Sequence, residues 1–118
     1  MIIFHSPRSY LSILYNVFFK YINLHKESKL QEYAYQAQRE ISDGYLNAMV
    51  LNSLLNDVEE YLQKKLVNTS NPVVKLKLSK AHAICLFKTL MILPIEADKE
   101  FEQIVRQDFI TKLYPQLL

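Results

Sequence analysis

The chain has 118 residues, half of them hydrophobic, and carries one glycine, four prolines and one cysteine. That is apolar material enough for one buried core, which excludes a disordered chain; so few turn-forming residues exclude an all-β sandwich or barrel, which needs a glycine or proline turn every ten or so positions. A formal net charge of +2 is too small to make polyanion binding the leading expectation.

Ser6-Pro7 reads as a helix start, because serine caps free backbone N–H groups and proline suits the first helical position. Met1 to Phe4 then forms an extended or frayed arm. The first helix is expected from about Pro7 to about Leu24, with Leu11, Leu14, Phe18, Tyr21 and Ile22 recurring at steps of three and four. The basic residues and asparagines of this region, Arg8, Asn16, Lys20 and Asn23, do not follow the order of a secretory signal.

Ser28 opens S-K-L-Q, a capping-box pattern with Gln31, and starts the second helix. A seam follows through Leu30, Ala34, Ala37, Ile41, Gly44, Ala48, Leu51, Leu55, Val58 and Leu62, in alternating steps of three and four. Its small residues, Ala34, Ala37, Gly44 and Ala48 beside Ile41, mark a candidate oligomer or close-packing surface. About forty residues of helix would extend roughly 60 Å at 1.5 Å per residue. So long an apolar stripe needs cover, which a second copy of the chain could supply.

Val67 to Asn71 is the clearest turn, rich in cap-forming side chains and followed by Pro72. A third helix is expected to begin at Pro72, to carry Leu76, Ala83, Ile84, Phe87, Leu90 and Met91, and to end or kink at Pro94. Being apolar on almost every side after Lys80, it reads as central and buried. The most apolar run, Ala81 to Leu93, contains His82 and Lys88 and falls short of the roughly 20 residues that cross a bilayer. A last amphipathic helix places Phe101, Ile104, Val105, Phe109 and Leu113 on one face, ends near Tyr114-Pro115, and begins with Glu96, Asp98 and Glu100, which suit a helix N-terminus.

These elements add up to a single all-helical domain over residues 1–118. The expected fold class is all-α: a bundle of four or five helices on a long antiparallel helical hairpin, with up-and-down connectivity. Folding back near residues 69 and 70 sets residues whose numbers sum to about 139 level with each other, Glu59 beside Lys80 and Glu40 beside Lys99.

No catalytic motif accompanies this pattern. One glycine allows no phosphate loop or dinucleotide fingerprint, and Glu-x-x-His pairs of the di-iron kind do not occur. His82 and Cys85 share a helix face at i, i+3 and could hold a metal or activate a thiolate, but apolar neighbours favour a buried, unreactive cysteine. No enzyme activity, metal or cofactor is therefore expected. The lone cysteine excludes an internal disulfide and a cysteine-rich zinc site and suits a reducing, cytoplasmic compartment.

Charge alternates by segment, and residues 63–95 hold six lysines with no acidic residue. Lys64, Lys65, Lys75, Lys77 and Lys80 form a candidate basic interaction patch; the competing expectation is that they are solvated and face Asp57, Glu59 and Glu60. Eight tyrosines suit either helical packing or an interface. The function expected is a non-catalytic protein–protein interaction or regulatory module that self-associates, as a dimer, or binds a helical partner. The alternative is a nucleic-acid-associated accessory protein using the lysines. No membrane partner is expected.

Overall fold

The computed structural model describes residues 1–24 and 43–118, with side chains described up to residue 24 and again from residue 49. Strand β1 (Ile2–Pro7) leads into helix α1 (Arg8–Ile13), which runs through a π-helical turn (Leu14–Phe18) into a further helical stretch, residues 19–24. Helix α2 (Asp43–Asn68) is followed by strand β2 (Val73–Leu78), helix α3 (Lys80–Ile92) and helix α4 (Glu100–Leu117).

The fold is mostly helical, yet the all-α expectation is wrong: β1 and β2 form a two-stranded antiparallel sheet. Ile2 pairs with Leu78, Phe4 with Leu76 and Ser6 with Val74, and these residues point inward; Ile3, His5 and Lys75, Lys77 point outward. The physical reason is period. V-V-K-L-K-L buries every second residue, which a pleated strand does and a helix of 3.6 residues per turn does not.

Three expectations change with the sheet. The N-terminal arm becomes a strand, and Ser6 is a fully buried strand residue whose hydroxyl donates to Pro7 O at 3.0 Å instead of capping a helix. The third helix begins at Lys80, with Ser79 as its cap, rather than at Pro72. The direct helical hairpin with up-and-down connectivity gives way to a helix–strand–helix path, because residues 73–78 leave α2 to pair with the N-terminus. Pairing β1 with β2 is a contact between distant parts of the chain, which no local pattern reports.

The inner face of the sheet, with Ile2, Phe4, Val74, Leu76 and Leu78, packs into one apolar core with Leu11, Leu14 and Phe18 of the N-terminal helix. Leu55, Val58 and Leu62 join it from α2, Ala83, Leu86 and Leu90 from α3, and Val105, Phe109 and Leu113 from α4. Phe4 meets Phe109 edge to face, with ring centroids 6.1 Å apart, tying β1 to α4. Both outer edges of the sheet are held by side chains. Gln116 of α4 accepts from Ile3 N–H at 3.3 Å and donates to Ile3 O at 2.9 Å; Tyr61 Oη of α2 accepts from Lys77 N–H at 2.8 Å. Such cover blunts edge-to-edge pairing with another chain.

α2 and α3 meet through Asp57 and His82 and through the Cys85 thiol, which donates to Leu51 O at 3.6 Å. Glu59 takes a hydrogen bond from Asn23 Nδ2 at 2.6 Å and does not pair with Lys80. Lys99 N-caps α4 without a side-chain bond, so the partnership expected of it with Glu40 falls on a residue outside the described ones. α3 packs against both α2 and α4, but it is not buried all round: Met91 and Ile92 at its end are exposed, and Leu93 turns extended ahead of Pro94, as proline demands of the residue before it. α4 buries Val105, Phe109 and Leu113, but Phe101 and Ile104, expected on the same face, are about half exposed; the helix also continues past Pro115. Among the described residues, no helix is long and apolar enough to cross a membrane.

Candidate functional site

The lysine patch lies where the end of α2, the outer face of the sheet and the start of α3 converge. Strand pairing places Lys75 opposite His5 and Lys77 opposite Ile3, all four side chains exposed, so two cations stand on one face at the two-residue spacing of the strand. On α2, Lys65 Nζ lies 5.6 Å from the ring centroid of Tyr61, whose hydroxyl holds Lys77 N–H. Tyr61 thus links Lys65 to the strand that carries Lys75 and Lys77. Lys64 is exposed beside Lys65 on α2, and Lys80 is exposed in the first turn of α3.

Two of the three acidic residues expected to neutralise these lysines, Asp57 and Glu59, are engaged elsewhere, and Glu60 is exposed on α2. Asp57 is bound to His82 and Glu59 to Asn23. Among the described residues, none of the five lysines lies within 4 Å of a carboxylate; Lys112 pairs with Asp108, and Asp57 is hydrogen-bonded to His82. Lys80 also stands at a helix N-terminus, where the dipole opposes positive charge. The patch therefore presents positive charge with no carboxylate of the described residues against it.

Next to the patch is a cavity of about 350 Å³, lined by Asp57, Val58, Tyr61, Lys77, Leu78, Ser79 and His82. Ser79 occupies the single-residue junction between β2 and α3. Its Oγ accepts from His82 N–H at 3.2 Å, which is the N-cap bond, and also lies in a short hydrogen bond with His82 Nδ1. The far side of the ring, Nε2, reaches Asp57 Oδ2 at 3.0 Å. One tautomer satisfies both contacts: the serine hydroxyl donates to Nδ1 and Nε2–H donates to the carboxylate.

His82 therefore faces Ser79 and Asp57 and not Cys85. The thiol is buried, and burial pushes its pKa up from the ordinary value of 9.0, against smaller opposing effects of Thr89 and Lys88. This is the opposite of an activated thiolate. Ser79 and Asp57 went unread in the sequence. The spacing of Ser79 to His82 is that of an N-cap to the third helical residue and was there to be found; Asp57 lies 25 positions from His82 and meets it only through the fold.

The small-residue seam falls largely beyond what the structure describes. Ala34, Ala37 and Ile41 lie outside the described residues; Gly44 and Ala48 lie on the backbone of α2, with their side-chain surroundings outside them. Several tyrosines do intramolecular work: Tyr10 packs edge to face on Phe101, Tyr114 stacks on Phe87, and Tyr61 holds β2. Among the described residues, no three His, Cys, Asp or Glu side chains converge as metal ligands. The chain matches no known family model, no curated protein and no solved structure.

Proposed function

We propose that the protein is an interaction module that binds an acidic protein surface through the outer face of its sheet and the adjoining end of α2. The observation that carries this reading is the set of lysines, 64, 65, 75, 77 and 80, without a carboxylate partner among the described residues while Asp57 and Glu59 are bound elsewhere. Exposed Ile3 and Val73 stand on the same face as Lys75 and Lys77, so the surface offers apolar contact between its charges. That mixture suits an acidic polypeptide better than a phosphate backbone, and the patch has no arginine, the usual base-reading side chain. The free thiol of Cys85 suits a reducing compartment, and we place the module in the cytoplasm.

The test is titration of the purified protein with a fluorescent glutamate-rich peptide, alongside a DNA duplex of similar length. Binding of the peptide should weaken at least about tenfold in the double variant Lys75→Glu/Lys77→Glu, whose two side chains already face solvent, a loss equal to about 1.4 kcal/mol. Unchanged peptide affinity in that variant would refute the proposal. Tighter binding to the duplex than to the peptide, weakening steeply with salt, would transfer the patch to a nucleic-acid partner.

A further inference from the structure

We infer that Ser79, His82 and Asp57 form a nucleophile, base and carboxylate relay able to cleave small carboxylic esters in the cavity they line. This activity is separate from the binding surface proposed above, although Lys77 borders both. Three observations carry it. The relay is continuous, from the serine hydroxyl through both ring nitrogens to the carboxylate, in a single tautomer. It opens into a cavity of about 350 Å³ walled by Val58 and Leu78, at the small end of the range that holds small molecules. Ser79 caps a 13-residue helix directly after a strand, so the N–H groups of the helix's first turn follow the hydroxyl in the chain and are the donors an oxyanion would use.

The free donors can be counted. Ala83 N–H bonds Ser79 O at 2.9 Å and His82 N–H bonds Ser79 Oγ, which leaves Lys80 N–H and Ala81 N–H with no partner among the described residues. The cap bond uses a lone pair of Oγ and leaves its proton on the path to Nδ1.

In the reaction, Ser79 Oγ attacks the ester carbonyl carbon as its proton passes to His82 Nδ1, while Asp57 holds the resulting imidazolium through Nε2–H. The carbon–oxygen bond to the leaving group breaks, and the imidazolium returns the proton to the departing alkoxide. Water then attacks the acyl-serine with His82 again as base, releasing the carboxylic acid and free Ser79. Ser79 and His82 would be the catalytic residues; Asp57 is a positioning residue.

The experiment is labelling of the purified protein with a fluorophosphonate probe, with the modified residue mapped by mass spectrometry, and hydrolysis of p-nitrophenyl acetate. Label is expected on Ser79. Ser79→Asn, which keeps a helix-capping side chain, should abolish it. His82→Gln should slow labelling by at least about a hundredfold, the lower end of what general-base catalysis supplies. Asp57→Asn should lower kcat with KM unchanged, and Asp57→Glu should recover part of the loss. Absence of label on Ser79 in the native protein, or ester hydrolysis equal in native, Ser79→Asn and His82→Gln proteins that share a native circular dichroism spectrum, would overturn the inference.

Discussion

β2 and α3 are neighbours in the chain, separated by Ser79 alone and both rich in aliphatic residues and lysine, yet they bury those residues by different rules. In β2 the alternation is strict: Val74, Leu76 and Leu78 are buried while Val73, Lys75 and Lys77 are exposed. In α3 hydrophobic residues surround the helix, but burial selects Ala83, Cys85, Leu86 and Leu90 and leaves Met91 and Ile92 outside. Composition shows that a segment is apolar; only its period, read over the correct window, shows which side chains meet the core.

The sharpest way to break this comparison is to truncate one buried leucine in each element. Leu76, 1 % exposed, and Leu86, fully buried, have the same kind of surroundings in a strand and in a helix. Leu76→Ala and Leu86→Ala should each cost about 2–5 kcal/mol in urea denaturation, the lost transfer energy plus the cavity left behind. A near-neutral Leu76→Ala, with a large loss in Lys77→Ala, would show that the burial phase of residues 73–78 is wrong and that the sheet does not form as described.

How much of this was legible in the sequence depends on the range of the contact involved. The helical segments around Leu11 to Phe18, Leu55 to Leu62 and Val105 to Leu113 were readable because their apolar steps of three and four are local, and all of those core positions are buried. The end of α3 was readable because Pro94 acts on its immediate neighbour. β2 was misread because a window spanning residues 72–93 averaged a period of two with one of 3.6, hiding V-K-L-K-L inside a longer apolar run. β1 was unreadable in a different sense: its partners lie far along the chain, from Val73 opposite Pro7 to Leu78 opposite Ile2. The candidate site divides the same way. The lysines were visible as a run without acids; the step from Ser79 through His82 to Asp57 was not, because the acid arrives from α2.

A smaller effect sharpens the comparison at the point where helix and strand touch. Tyr61 of α2 bonds the backbone of β2, its hydroxyl receiving Lys77 N–H while its ring receives Lys65. Tyr61→Phe removes only the oxygen. The loss should be about 0.5–1.5 kcal/mol, the net value of one hydrogen bond, because the freed N–H sits on an exposed strand residue that water can reach. Stability unchanged within error would mean that the sheet edge does not depend on α2.

The smallest predicted effect tests α3 at its end. Ile92 is 81 % exposed whereas Leu90, two positions earlier, is fully buried. The hydrophobic contribution follows the apolar area removed from water, not the residue type, so Ile92→Ala gives up little contact and alanine is the better helix former. Its stability should stay within about 0.5 kcal/mol of the unaltered protein, as for other exposed positions. The same experiment at Leu90 should cost several times more. A large loss at Ile92 would mean that this side chain is covered in solution, by another part of the chain or by a second copy, and that the end of α3 is as buried as its composition suggests.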